Sequence, residues 1–259
     1  MSLAIEGIHT YYGLVHMLQG VSMEINAGEL VGILGRNGAG KTTTIKSVMG
    51  LAPPKSGKVL LKGEDIAGMP PHIIAQKGIS YVPASRGIFA TLSAFENLKI
   101  FEKKGARFDA EGVFKMFPRL NEMKGRHGSS LSGGEQQMLA IGRSLVTDPS
   151  VILLDEPSQG LAPQIVELVV EMLETLKAEG MAIVLVEQNL QLALDVSDRV
   201  YILDHGEVVF HGKGSQLNDD PELTAEYLGV SALGRHKNHG KLRRKSGQHP
   251  GIGSINCIW

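Results

Sequence analysis

Leu30-Val31-Gly32-Ile33-Leu34 runs straight into Gly35-Arg36-Asn37-Gly38-Ala39-Gly40-Lys41-Thr42-Thr43, and Thr42–Met49 follows with helical spacing up to Gly50. The first stretch is a short apolar run, the pattern of a strand buried on both faces. The second satisfies Gly-x4-Gly-Lys-Thr, the Walker A spacing. Its glycines let successive backbone N–H groups turn inward around phosphate oxygens. A helix starting near Gly40 points its positive end at the same place. Lys41 is then placed to reach the β- and γ-phosphates, and the Thr42 hydroxyl to ligate Mg²⁺. Strand, glycine loop and helix in this order predict an ATP site built from Gly35, Arg36, Asn37, Gly38, Ala39, Gly40, Lys41, Thr42 and Thr43.

Outward from the loop, the same alternation recurs. Val151–Leu154 and Ala182–Val186 are continuous apolar runs, and Ile165–Leu176 between them is amphipathic at helical spacing. Lys58–Leu61 and Ile79–Val82 read as further strands, as does Val21–Ile25 before the loop. Val200–Leu203 and Val208–Phe210 flank Asp204-His205-Gly206 and read as a terminal hairpin. Strand–helix–strand alternation implies right-handed crossovers and a parallel sheet. Residues 84–148 differ: Phe95, Leu98, Ile100, Val113, Phe114 and Phe117 spread at helical spacing, which predicts an insert of two or three helices. The expected fold class is α/β, a P-loop parallel-sheet core with an N-terminal antiparallel β region and a small helical subdomain.

Val151–Leu154 leads directly into Asp155-Glu156. A buried parallel strand ending in two carboxylates delivers both to the sheet's carboxyl edge, where the phosphate loop also ends. Asp155 suits the Mg²⁺ shell. Glu156, at a turn set by Pro157, can polarise the attacking water as general base.

The 259 residues are 42% apolar, enough for one sizeable core. The formal net charge of −1 gives no nucleic-acid-like bias. That charge is uneven: residues 231–259 hold Arg235, Lys237, Lys241, Arg243, Arg244 and Lys245 and no acid, leaving the body acidic. The expected division is one domain over 1–230, with 84–148 inside it, and a basic, unstructured tail over 231–259. The single cysteine, Cys257, excludes an internal disulfide. The longest apolar run is six residues, Met181–Val186, where a membrane span needs about 20. A soluble chain is therefore expected, with any membrane role exerted through a partner. None of the nine histidines falls in a His-x3-His or HExxH pattern, so no zinc site is expected.

Leu131-Ser132-Gly133-Gly134-Glu135-Gln136-Gln137 opens a helix on which Met138, Ile141 and Leu145 share a face. Ser132 and Glu135 have capping-box spacing. The two glycines leave N–H groups open to an anion, so helix cap and anion site both fit on physical grounds. The string resembles the signature of ABC-type ATPases, lies just before the Asp155 strand as in that family, and the likeness spans residues 3–230. It implies a head-to-tail dimer in which Ser132, Gly133 and Gly134 of one subunit close on the γ-phosphate held by the other's Lys41. It also implies that Tyr12 stacks on adenine. Tyr81-Val82-Pro83, Phe117-Pro118-Arg119-Leu120, Ser158-Gln159-Gly160-Leu161-Ala162-Pro163 and Val186-Glu187-Gln188-Asn189 are similar to the smaller ATPase subunit of branched-chain amino acid importers, with relatives serving urea and amides. The resemblance implies permease subunits, a homologous second ATPase subunit, an extracytoplasmic solute-binding protein and a peripheral place on the cytoplasmic face of the membrane.

Two positions depart from the wider pattern. The superfamily usually has glutamine where this chain has Ala84, and a methyl group neither ligates Mg²⁺ nor holds water. Where most members have histidine stands Gln188, which can hydrogen-bond the γ-phosphate but carries no proton. Those two positions keep open a second expectation, an ATP-gated regulatory module with little hydrolysis of its own. A DNA-organising ATPase is disfavoured, because no long heptad-patterned insert separates the loop from the signature.

Overall fold

The computed structural model describes residues 1–218 and Tyr227; the tail over 231–259 lies outside the described residues. Two sheets organise the rest. The first is antiparallel: β1 (Leu3–Tyr12), β2 (Val15–Ile25), β4 (Ser56–Leu61) and β5 (Glu64–Asp65), in the order β2-β1-β4-β5. The second contains β3 (Leu30–Leu34), β6 (Ile79–Val82), β7 (Val151–Asp155), β8 (Ala182–Val186), β9 (Arg199–Asp204) and β10 (Glu207–Gly212). Its order is β10-β9-β3-β8-β7-β6, parallel except for the β9–β10 hairpin.

Every residue of β3, β7 and β8 is buried, which is why these strands are continuous apolar runs without alternation. Their register decides where the site can be. Asp155 pairs with Val186, and Val186 pairs with Ile33. The carboxyl ends of three strands are therefore level, and the loops that leave them share one edge of the sheet.

Helix α1 (Lys41–Val48) lies between the sheets, and Ile45 and Val48 join a core formed with β1, β2 and β3. On the other side, α7 (Pro163–Ala178) contributes Val169, Met172, Leu173 and Leu176 to a second core shared with the insert. Three short helices, α2 (Pro71–Gln76), α8 (Leu190–Val196) and α9 (Gly214–Asn218), carry too few periodic positions to be read from the sequence.

The insert holds four helices rather than two or three: α3 (Ala94–Lys99), α4 (Ala110–Met116), α5 (Pro118–Glu122) and α6 (Gly133–Leu145). Pro118 divides what reads as one apolar stretch, since proline lacks the N–H that would continue α4 and suits a first helical turn. Asn97 is fully buried, and its side chain bonds Phe89 N and O, Leu92 O and Ser93 O, fastening the preceding loop. Phe114, Phe117 and Leu120 are also buried. The face around Phe95-Glu96-Asn97 and Phe114–Leu120 thus owes much of its apolar character to internal packing, each large side chain worth about 1.5–3 kcal/mol on burial.

Candidate nucleotide site at the sheet edge

The loop after β3 has the backbone its glycines imply. Gly35 has φ 142° and Gly40 has φ 110°. A Cβ at Gly35 would lie 2.2 Å from the Leu203 carbonyl oxygen, and one at Gly40 would lie 2.8 Å from Leu18. Both positions therefore require glycine for conformation and for space. Gly40 caps α1 without a side chain, and the first turn holds no acid. The start of α1 is thus left to an anion. Arg36, Asn37 and Gly38 form the exposed apex, while Ala39 and Thr43 are buried.

Lys41 is only 5% exposed, and its Nζ donates to Gly35 O at 2.8 Å and to Arg36 O at 3.1 Å. Burial lowers its pKa, and the charges of Glu156 and Asp155 oppose that shift. The ammonium is held over the loop's own carbonyls, where a triphosphate's oxygens would be stronger acceptors.

Thr42 and Asp155, far apart in sequence, meet directly: the Thr42 hydroxyl donates to Asp155 Oδ1 at 2.9 Å. Tyr81 OH donates to Asp155 Oδ2 at 3.1 Å. Burial raises the Asp155 carboxyl above its ordinary value, against both hydrogen bonds. Burial, with the Asp155 charge, also pushes the Tyr81 phenol far up. One hydroxyl and one buried carboxylate at this distance fit Mg²⁺, which takes few protein ligands and completes its shell with phosphate and water. Among the described residues no group of three or more His, Cys, Asp or Glu is placed to hold a metal.

Glu156 adopts φ 51°, a strained conformation for a non-glycine residue. Its N–H donates to Val186 O at 2.8 Å, and its Oε1 accepts from Gln188 Nε2 at 2.8 Å. The structure therefore joins Lys41, Thr42, Asp155, Glu156 and Gln188 at one edge. Tyr12 is 44% exposed at the end of β1, a strand tied to α1 by the Thr10–Ser47 hydroxyl pair at 2.8 Å. The neighbouring Tyr11 is engaged, stacked on His16 at 4.2 Å.

Ser132, Gly133 and Gly134 lie elsewhere, at the start of α6. The capping box is present: Ser132 N–H donates to Glu135 Oε2 at 2.7 Å, and Glu135 N–H to Ser132 Oγ at 3.4 Å. A Cβ on Gly134 would lie 2.8 Å from Ile165 of α7. Gly133 faces the Arg86 guanidinium, which also bonds Gln136 Oε1 at 3.3 Å. The Ala84 side chain has no polar atom; Arg86 beyond it bonds α6 twice, through its guanidinium to Gln136 and through its carbonyl, which accepts from Arg143 at 3.5 Å.

Sequence reasoning missed two residues at the edge. Tyr81 and Glu187 were visible only as parts of family-like strings, without roles of their own. The usable signal was position: each is a polar residue at or next to the carboxyl end of an apolar parallel strand.

Comparison with known proteins gives the family and the fold. The family described as "ABC transporter" matches residues 18–159. The chain is 41% identical over 231 residues to the high-affinity branched-chain amino acid transport ATP-binding protein BraG of Pseudomonas aeruginosa, covering 88% of this chain and 99% of that protein. It is 36% identical to the probable branched-chain amino acid transport ATP-binding protein LivF of Archaeoglobus fulgidus, covering 85% and 95%. Among solved structures, the ADP conformation of an ATP-binding cassette of an ABC transporter superposes with a TM-score of 0.76 at 28% identity, covering 88% of this chain and 99% of that one.

Proposed function

This chain belongs to the ABC transporter family as one of its ATP-hydrolysing cassettes, and from that premise we propose that it powers uptake of branched-chain amino acids. The observation that carries the hydrolytic part is the convergence of Lys41, the Thr42–Asp155 pair and the Glu156–Gln188 pair at one sheet edge. Lys41 binds the β- and γ-phosphates. Thr42 and Asp155 would hold Mg²⁺, which when bound neutralises charge on the transferring phosphoryl group. Glu156 takes the proton of the attacking water, and Gln188 holds its carboxylate in place. Tyr12 supplies a face for adenine. Ser132, Gly133 and Gly134 complete the site of a neighbouring subunit in a head-to-tail dimer, either a second copy or, as we favour, a homologous ATPase subunit.

In this arrangement the cassette sits peripherally at the cytoplasmic face, beneath permease subunits that receive solute from an extracytoplasmic binding protein. Among the described residues no helix is long and apolar enough to cross a membrane, so translocation falls to those partners. The solute assignment rests on similarity to BraG and LivF. The Gln188–Glu156 hydrogen bond favours hydrolysis over a purely ATP-gated role, because it orients the base although Ala84 contributes nothing. Mg²⁺-dependent ATP turnover by the purified chain tests the proposal. Glu156→Gln is expected to lower kcat by about 10²–10⁴ while ATP stays bound, and undiminished turnover would remove Glu156 as the base.

A further inference from the structure

Glu187 follows the last residue of β8 and is 2% exposed, yet it is neither a phosphate contact nor a metal ligand nor the base. Burying a carboxylate costs several kcal/mol unless its oxygens are matched by donors. Burial raises its pKa, and hydrogen bonds from the Ser158 turn and from Asn189 and Gln188 oppose the rise. Those bonds are specific. Oε1 accepts from Ser158 N–H at 2.9 Å, and Oε2 accepts from Gln188 N–H at 3.2 Å and Asn189 N–H at 3.5 Å. Asn189 in turn caps α8, its Oδ1 accepting from Leu192 N–H at 3.1 Å.

These contacts close a ring. Glu156 leads through Pro157 to Ser158, whose N–H bonds Glu187. The chain continues from Glu187 to Gln188, whose amide returns to Glu156 at 2.8 Å. The carboxylate thus fastens the loop after β7, which carries the base, to the loop after β8, which carries its hydrogen-bond partner. Glutamine at 187 would keep one acceptor oxygen and turn an NH₂ toward either the Ser158 N–H or the Gln188 and Asn189 N–H groups, weakening this tie between two loops that otherwise share the Glu156 N–H to Val186 O bond.

We propose that Glu187 is a positioning residue for hydrolysis, setting the Gln188–Glu156 contact by clamping the Ser158 turn to the Gln188 loop. The inference rests on Glu156 acting as the base. Steady-state ATP hydrolysis by the full-length chain tests it. Glu187→Gln keeps the shape but turns an amide NH₂ toward backbone donors. It is expected to lower kcat about tenfold and leave KM for ATP within about twofold, as an orienting interaction should. In a cycle with Gln188→Ala, the double variant should be little slower than Gln188→Ala alone, because both changes break one contact. If Glu187→Gln does not fold, Glu187→Asp, whose carboxylate is one methylene shorter, enters the same cycle with the same expectation. Unchanged kcat, a loss confined to KM, or additive losses would each overturn the inference while leaving Glu156 as base. Wild-type turnover in Glu156→Gln would overturn the function first, and this inference with it.

Discussion

The nucleotide edge and the α6 start are both glycine-rich turns leading into helices, but they are completed differently. At the edge, side chains from α1, from the ends of β6 and β7 and from the loops after β7 and β8 already bond one another: Thr42 to Asp155, Tyr81 to Asp155, Gln188 to Glu156. At α6, Ser132 bonds Glu135 three residues on. The edge is assembled by the fold of one chain. The α6 start is presented by it, with Ser132 exposed and Gly134 packed on α7. The contrast suits a cassette in which each subunit owns one complete nucleotide cradle and lends its second glycine turn to a neighbour.

Substitutions can break that contrast, and they should do so unequally. Lys41→Ala is expected to have the largest effect, lowering ATP affinity at least about a hundredfold by removing a charge-assisted contact; equilibrium nucleotide binding measures it. Gly134→Val should cut turnover about tenfold while ATP affinity stays unchanged, because the added side chain drives α6 away from Ile165 and leaves the cradle intact. An equal loss of affinity would mean that the two regions are not separable. Ser132→Ala removes a helix cap worth about 1 kcal/mol, so thermal unfolding should drop by about 2–4 °C, beyond any effect on turnover.

The smallest expected effect lies away from both regions. Burial pushes the Glu29 carboxyl up, but Arg199 and Asn26 outweigh it and hold the group below its ordinary value. A depressed carboxylate adds stability above its unfolded pKa, about 4.5, and that stability is lost as pH falls below it. Thermal unfolding of Glu29→Gln should therefore fall short of the parent at neutral pH, and the gap should close as pH is lowered below 4.5 and through the group's depressed folded value, with nucleotide affinity unaltered.

The difference between the regions also explains what could be read from the sequence. The core strands were legible because β3, β7 and β8 are buried on both faces and so are written as unbroken apolar runs. Ile79–Val82 and Ala182–Val186 appear with their expected bounds. Lys41, Thr42, Asp155 and Glu156 were legible because spacing alone puts them at one strand edge. Ser132–Gly134 were not, since a capping box and an anion site share the same residues, and only family resemblance separates them. The four-helix insert was misjudged because Pro118 splits an apolar run whose periodicity continues across the break. Glu187 is not legible in the sequence, because a buried carboxylate satisfied by backbone N–H groups from two loops leaves no local pattern.

The claim that the α6 start completes another subunit's site can be tested most directly by complementation. A Lys41→Ala chain keeps its α6 turn but loses its cradle, while a Ser132→Arg chain keeps its cradle but blocks its turn. Where two copies pair, each variant alone should hydrolyse ATP at background rate, and mixing the two should restore turnover at the one composite site that retains both intact halves; with a homologous subunit as partner, each variant should instead keep one intact composite site. Undiminished turnover by the Ser132→Arg chain on its own would contradict the account.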